Sequence, residues 1–187
     1  MARLVYSAIT SLDGFVADRD GRFDWSMPDE AVHQRVNELH RGVGTYLYGR
    51  RLYDVMVAWE TMETADEPPA VQEYAQLWRA AHKVVYSTTL TTPRSARTQV
   101  EATFDPEAVR RLLHSSPHDV LIGGAHLAGL ALRAGLVDEV HLFVSPVLVG
   151  GGTRALPRDV RVDLELLDLE RFANGVAHLH HRVHEVH

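Results

Sequence analysis

Two glycine turns, a pair of arginines and a run of hydroxyl residues are the parts of this chain whose types and spacing suit chemistry. Gly123-Gly124 separates an apolar run, Asp119 to Ile122, from a helix pattern that begins at Ala125. Where a strand hands over to a helix, backbone N–H groups and the positive end of the helix dipole can receive a phosphate, and glycine keeps side chains out of the way. A dinucleotide diphosphate suits such a turn, although any tight turn also favours small residues. Gly123 to Gly129 does not spell G-x-G-x-x-G, and Leu130 stands where a phosphate-loop nucleoside triphosphatase has lysine.

Gly49-Arg50-Arg51 repeats the arrangement after the run Val43 to Tyr48, and adds two guanidinium groups that match phosphate with paired donors. Two solvated arginines at a helix start would look the same. Ser87-Thr88-Thr89 follows a third strand pattern, and open α/β sheets bind ligands outside the carboxyl ends of their strands. A nucleotide 2′-phosphate suits Arg50, Arg51, Ser87 and Thr88 better than a bare ribose, which attracts an acidic residue.

The elements that must position these groups follow from periodicity. Leu4 to Thr10 and Phe15 to Ala17 read as one strand broken at Asp13-Gly14, and a helix runs from Pro28 to about Arg41. Arg50 to Met56 reads as a short helix, Glu60 to Pro69 as an exposed loop, Ala70 to Ala81 as a helix and His82 to Ser87 as a strand. After a short strand at Thr98 to Thr103, Asp105 caps a helix with Pro106 at its first position. Asp119 to Ile122, Ala125 to Ala134 and Val140 to Val144 form a strand–helix–strand unit, which predicts an α/β sheet with helices on both faces. Val162 to Phe172 and Val176 to Val186, joined at Asn174-Gly175, predict an antiparallel hairpin closing a mostly parallel sheet.

Composition narrows the classes. The 187 residues, 45% hydrophobic and 24% charged, fit a single domain spanning 1–187, with no repeat or linker. A formal charge of −6 disfavours nucleic acid and anionic membranes as partners. With no cysteine there is no thiolate nucleophile, disulfide or Cys-ligated metal. The N-terminus lacks a secretory pattern and no apolar run approaches the roughly 20 residues of a membrane span, so a cytoplasmic location is expected.

Ser11-Leu12-Asp13-Gly14-Phe15-Val16-Ala17, Gly49-Arg50-Arg51-Leu52-Tyr53, Val84-Val85-Tyr86-Ser87, Ile122-Gly123-Gly124, Gly135-Leu136-Val137-Asp138-Glu139-Val140 and Ser145-Pro146-Val147-Leu148-Val149-Gly150-Gly151-Gly152 together resemble the dihydrofolate-reductase-like superfamily. Within it the chain resembles the riboflavin-biosynthesis reductase domain and its stand-alone relatives. The resemblance implies a three-layer α/β/α fold, NADPH as cofactor, and a homodimer joined through the long C-terminal strands. It also implies that Gly49, Arg50 and Arg51 fill the first phosphate-binding turn, that Ser87 and Thr88 lie near the 2′-phosphate, and that Gly123, Gly124, Ala125, His126 and Leu127 wrap the diphosphate. Dihydrofolate reductases often carry a basic residue after the glycine turn, where this chain has His126. The zinc-ligating signature of the riboflavin enzyme's deaminase half is absent from the chain, which leaves the reductase role.

Hydride transfer to a C=N or C=O bond needs a proton at the neighbouring heteroatom, which a carboxyl group in a partly apolar pocket can supply. Trp25, Pro28 and Glu30 match the order in which dihydrofolate reductases place a Trp and a Pro before an acidic residue, so Glu30 is the expected acid. Asp29 is its neighbour and rival, and both also favour a helix N-terminus without any chemistry. Asp13 could shape a loop over the nicotinamide or touch substrate, Trp25 could wall the pocket, and Gly151 could give backbone access to ligand; turn formation and packing explain each equally well.

Twelve histidines raise the question of a metal, since His178, His180, His181, His184 and His187 crowd the last strand. Alternation on an edge strand with outward polar residues accounts for them without an acidic partner, and no metal is expected. The expected function is therefore an NADPH-dependent oxidoreductase acting on a small heterocyclic, pteridine- or pyrimidine-like, or carbonyl substrate. The alternative is a non-catalytic nucleotide-binding or sensor module on the same fold.

Overall fold

The computed structural model describes residues 1–184. Its strands are β1 (Leu4–Ser11), β2 (Phe15–Ala17), β3 (Val43–Gly49), β4 (His82–Tyr86), β5 (Thr98–Glu101), β6 (Asp119–Gly123), β7 (Glu139–Ser145), β8 (Thr153–Arg154), β9 (Leu164–Arg171) and β10 (Ala177–Val183). Its helices are α1 (Glu30–His40), α2 (Arg50–Met56), α3 (Pro69–Ala80), α4 (Pro106–Ser115) and α5 (Ala125–Arg133). Eight strands form one sheet in the order β5-β4-β3-β6-β1-β7-β10-β9. From β5 to β7 all pairings are parallel, and β10 and β9 add an antiparallel margin.

Local chemistry sets the helix starts. The Asp29 carboxylate accepts the Val32 N–H at 3.0 Å and caps α1, and Asp105 accepts the Glu107 N–H at 3.0 Å to cap α4 with Pro106 at its first position. At the β9–β10 turn Asn174 Oδ1 accepts the Val176 N–H at 3.0 Å, and Gly175 takes φ +88°, a value open to glycine.

Alternation along the parallel strands sends side chains to two cores. On one face Leu4, Tyr6, Leu47, Val120 and Ile122 pack with Val109 and Leu113 of α4 and with Leu127, Ala128 and Ala131 of α5. On the other, Tyr46, Tyr48, Val85 and Leu121 meet Tyr53 of α2 and Tyr74 and Trp78 of α3, while Val32 of α1 covers Phe143, Phe172 and Val176. The result is the three-layer α/β/α arrangement. The chain's single lysine, Lys83, is buried, with its ammonium over the Trp78 ring and donating to the Trp78 and Ala81 carbonyls. It is a core residue, out of reach of any ligand.

Two expectations are corrected. Phe15–Ala17 does not prolong β1 in the main sheet; β2 turns away and pairs with β8 in a separate two-stranded ribbon. The last strand is not the edge, because β10 lies between β7 and β9 and the margin is β9. His178 and His180 are therefore sheet-interior residues facing β7, not outward edge residues, and Glu139 supplies the acidic neighbour that the local pattern lacked. Val186 and His187, also assigned to that strand, fall outside the described residues. Among the described residues no helix is long and apolar enough to cross a membrane.

His40, at the end of α1, is buried, its Nδ1 2.9 Å from the Tyr46 hydroxyl, and burial holds the imidazole pKa down to about 3. An unfolded histidine protonates near 6.5, so between 6.5 and about 3 the unfolded chain binds a proton that the folded chain refuses. Stability is full above 6.5 and is lost as pH falls through this window, at about 1.4 kcal/mol per pH unit for one such group. Urea unfolding midpoints at pH 7.5, 6 and 5 should fall accordingly, and His40→Gln should flatten the slope; equal slopes in both proteins would contradict this assignment.

Candidate active site

The carboxyl ends of the neighbouring strands β3 and β6 bring the two glycine turns side by side. Tyr48 is in register with Gly123. Gly124 takes φ +93°, and a β-carbon there would lie 3.7 Å from the Gly49 nitrogen. At Gly123 a β-carbon would come within 2.6 Å of Leu52, and at Gly49 one would touch Leu127 at 4.0 Å. Glycine thus lets two turns of backbone approach each other closely. Gly124 is the N-cap of α5 and offers no side-chain cap, and the first helical bond recorded there runs from Ala128 N–H to the Gly124 carbonyl. The N–H groups of Ala125, His126 and Leu127 are left to an external acceptor, where the helix dipole favours an anion. His126 is exposed and Leu127 is buried in the core, so His126 supplies the side chain and Leu127 only backbone. The donor set fits a diphosphate.

The arginines are divided. Arg50 Nε donates to Asp54 at 2.8 Å, one turn along α2, and its Nη1 lies 3.5 Å from the Thr89 hydroxyl; Asp54 also pairs with Arg94. Arg51 is exposed and forms no ion pair among the described residues. Ser87 Oγ accepts the N–H groups of Thr89, at 3.2 Å, and Leu90, at 3.0 Å, folding the segment back so that Thr89 faces Arg50. Thr88 is exposed and outside this network. The hydroxyl facing Arg50 is that of Thr89, with Ser87 Oγ 3.4 Å behind it. A Ser-x-Thr spacing, with serine accepting two residues on, was the signal available for this.

Asp13 is committed to structure. Its carboxylate accepts the Val149 N–H at 3.2 Å and the Gly150 N–H at 2.8 Å. Hydrogen bonding from Ser11 and from these backbone groups holds its pKa below the usual carboxylate value. The carboxylate ties the glycine loop to the β1–β2 turn, in the manner of a loop-shaping residue. Beside Gly151 lies the side chain of Arg19, whose Nε would be 2.5 Å from an added β-carbon and whose Nη2 donates to the Gly150 carbonyl at 2.9 Å.

Val32, packed on Phe143 and Phe172 beside Ile9, places the start of α1 over the carboxyl halves of β1 and β7. Asp29 is occupied as the cap, whereas Glu30, the first residue of the helix, has no hydrogen-bond partner among the described residues. Glu30 is exposed, so the expected partly apolar surround is not provided by this chain's own side chains. Trp25, in a short 3₁₀ turn, is half-buried, and its indole N–H is shielded from solvent without a partner. Sequence reasoning missed the buried hydroxyls of Thr10, Ser11 and Ser145, with Ser11 and Ser145 in register across β1 and β7. Hydroxyl residues closing otherwise apolar strands were their only signal.

The family model for the RibD C-terminal domain matches residues 2–178. The chain belongs to this family. Over 185 residues, 95% of this chain and 93% of the relative, it is 29% identical to the uncharacterized protein YyaP of Bacillus subtilis (strain 168). It is 28% identical over 165 residues to riboflavin biosynthesis protein RibD of Mycobacterium tuberculosis (strain H37Rv), matching 83% of this chain and 45% of that protein. This RibD C-terminal domain chain thus spans less than half the length of that RibD. Its fold is shared with a pyrimidine reductase-like protein from Corynebacterium diphtheriae, with a TM-score of 0.70, 15% identity, and coverage of 98% of this chain and 92% of the other. The likeness extends through the antiparallel margin and supports the dihydrofolate-reductase-like architecture read from the sequence.

Proposed function

We propose that this RibD C-terminal domain protein is an NADPH-dependent reductase that transfers a hydride to a small pyrimidine- or pteridine-like heterocycle. The observation that carries the reading is the contact of the Gly49 and Gly124 turns at two adjacent strand ends, beside an α5 N-terminus without a side-chain cap. A diphosphate placed there receives backbone donors from Ala125, His126 and Leu127 and adjoins Arg51 on α2. NADPH, when bound, supplies the hydride. Ser87, Thr89 and Arg50 would hold the 2′-phosphate, the Asp54 carboxylate keeping the Arg50 guanidinium oriented toward them. Glu30 would orient the substrate and deliver the proton, and Trp25 would wall the pocket. The family membership and the name of the mycobacterial relative support riboflavin-type pyrimidine chemistry as the substrate class. A cysteine-free reductase using the NADPH pool fits a cytoplasmic setting.

NADPH oxidation should be measured against pteridine, pyrimidine and quinone-like acceptors. Turnover with a pyrimidine or pteridine is expected, with NADPH bound more tightly than NADH, and Arg50→Ala should reduce that preference about tenfold, in line with a charged hydrogen bond of about 1.5 kcal/mol. Equal affinity for the two nucleotides would reject the 2′-phosphate assignment. Binding without turnover of any acceptor would favour the sensor module instead.

A homodimer belongs to the same reading. Leu164, Leu166 and Leu169 stand exposed on β9, and a margin strand with an apolar face invites pairing unless it is covered. Sedimentation at micromolar concentration should give a dimer, and Leu166→Arg should shift it to monomer; a monomer in the parent protein would reject the arrangement.

A further inference from the structure

At the opposite end of the sheet from the glycine turns, Glu139 and His141 leave β7 on the α1 face, and the antiparallel register sets His141 beside His180 and Phe143 beside His178. Glu139 Oε2 lies 3.0 Å from His180 Nε2 and 3.6 Å from His141 Nε2, and the two imidazoles stack with centroids 3.9 Å apart. One donor atom from each of these three residues falls within a single small volume, no two more than 4.8 Å apart.

The polar bookkeeping around His141 is incomplete. Its side chain is only 5% exposed, its Nδ1 lies 3.0 Å from His178 Nε2, and its Nε2 is shielded from water without a hydrogen-bond partner. If Nδ1 carries the proton and donates to His178, the Nε2 lone pair faces a carboxylate oxygen, which is repulsive unless a cation lies between them. If Nε2 carries the proton, 3.6 Å is too long for a hydrogen bond to that oxygen. Neither tautomer satisfies the atom, and an unsatisfied buried polar atom is destabilising. A metal ion satisfies it directly.

The surrounding groups prepare the same three atoms. Arg3 binds Glu139 through Oε1 at 2.7 Å and leaves Oε2 to face His180 and His141, and its own charge is met by Asp119. Arg35 of α1 is matched by Glu38, Asp168 and Glu170. His178 fixes the ring of His141, in the manner of the outer partners that orient metal-bound imidazoles. A cleft of about 260 Å³ between the end of α1 and the sheet reaches these residues, giving an entry path and room for a water ligand.

We propose that Glu139, His141 and His180 form a binding site for one divalent transition-metal ion, clamping β7 to β10 at the end of the sheet remote from the nucleotide turns. Two imidazoles and a carboxylate suit a zinc-type ion, whereas magnesium prefers oxygen ligands and water.

The test uses the full chain without an affinity tag, stripped with a chelator and then titrated with Zn²⁺ by calorimetry and with Co²⁺ by visible absorption. One ion per chain is expected, with a ligand-field band for Co²⁺ and no competition from millimolar Mg²⁺. Glu139→Gln and His180→Ala should each weaken Zn²⁺ binding at least about tenfold, and His178→Ala should weaken it by about 10- to 100-fold through loss of ring orientation. Circular dichroism identifies any variant that fails to fold. His114→Ala and His184→Ala, outside the cluster, should bind as the parent does. Absence of stoichiometric binding, unchanged affinity in folded His180→Ala, or loss of binding in His184→Ala would overturn the proposal.

Discussion

Replacing Glu30 with glutamine is expected to lower turnover about 100-fold with the best heterocyclic acceptor while leaving NADPH affinity unchanged, as loss of a general acid does. Glutamine keeps the size and the helix start but cannot release a proton. The assignment rests on the contrast with Asp29. Asp29 already accepts the Val32 N–H at 3.0 Å, so its carboxylate serves the fold. Asparagine caps a helix about as well as aspartate, so Asp29→Asn should retain both stability and activity, while Asp29→Ala should lose about 1 kcal/mol of stability. Steady-state kinetics and NADPH titration on the three variants separate the roles. If Asp29→Asn lost as much turnover as Glu30→Gln, the acid would be Asp29 or the pair; if neither lost turnover, the proton would come from elsewhere.

Gly152→Ala should produce the largest stability loss among the glycines of the loop that follows β7. Gly152 takes φ +129°, and an added β-carbon would lie 2.1 Å from the Ala17 carbonyl oxygen and 2.5 Å from the Asp18 carbonyl carbon. Both obstacles are backbone, held by the pairing of β2 with β8 through Ala17 and Thr153. Relief requires opening the ribbon, so backbone strain and steric overlap should together cost about 2–6 kcal/mol. Gly150 supplies the comparison, since it has φ +72° but nothing within 4 Å of an added β-carbon. Gly150→Ala should cost only about 1–2 kcal/mol, the backbone penalty alone. Urea denaturation should rank the two variants in this order. Equal losses would mean that the ribbon yields freely and does not hold the loop over the strand ends.

Strand and helix positions were largely legible because their signals are local. Valine-rich runs, glycine after a strand, and Asp-Pro before a helix act within a few residues, and β3, β6, α4 and α5 form where these patterns fall. The glycine turns were legible for the same reason, down to the free N-terminus of α5. The contact of Thr89 with Arg50 was not legible, because the fold-back that aims it there depends on one serine hydroxyl accepting two N–H groups. The restraint of Arg50 by Asp54 lay one helical turn away and was readable in principle, whereas the Arg94 contact to the same carboxylate, from 40 residues further on, was not.

By itself the sequence determined the α/β alternation, the glycine turns at strand ends, the absence of thiol chemistry and the resemblance to a reductase family. Tertiary structure decided what depends on which strands become neighbours. Asp13 meets Gly150 across 137 positions, and Glu139 meets His180 across 41. Such contacts turn a turn-forming aspartate into a loop anchor and a row of histidines into one side of a buried cluster. No local pattern encodes them, because the free energy that selects a strand's neighbours is summed over whole faces of the sheet. The position of β10 between β7 and β9 is one product of that sum, and the chemistry of its histidines follows from it.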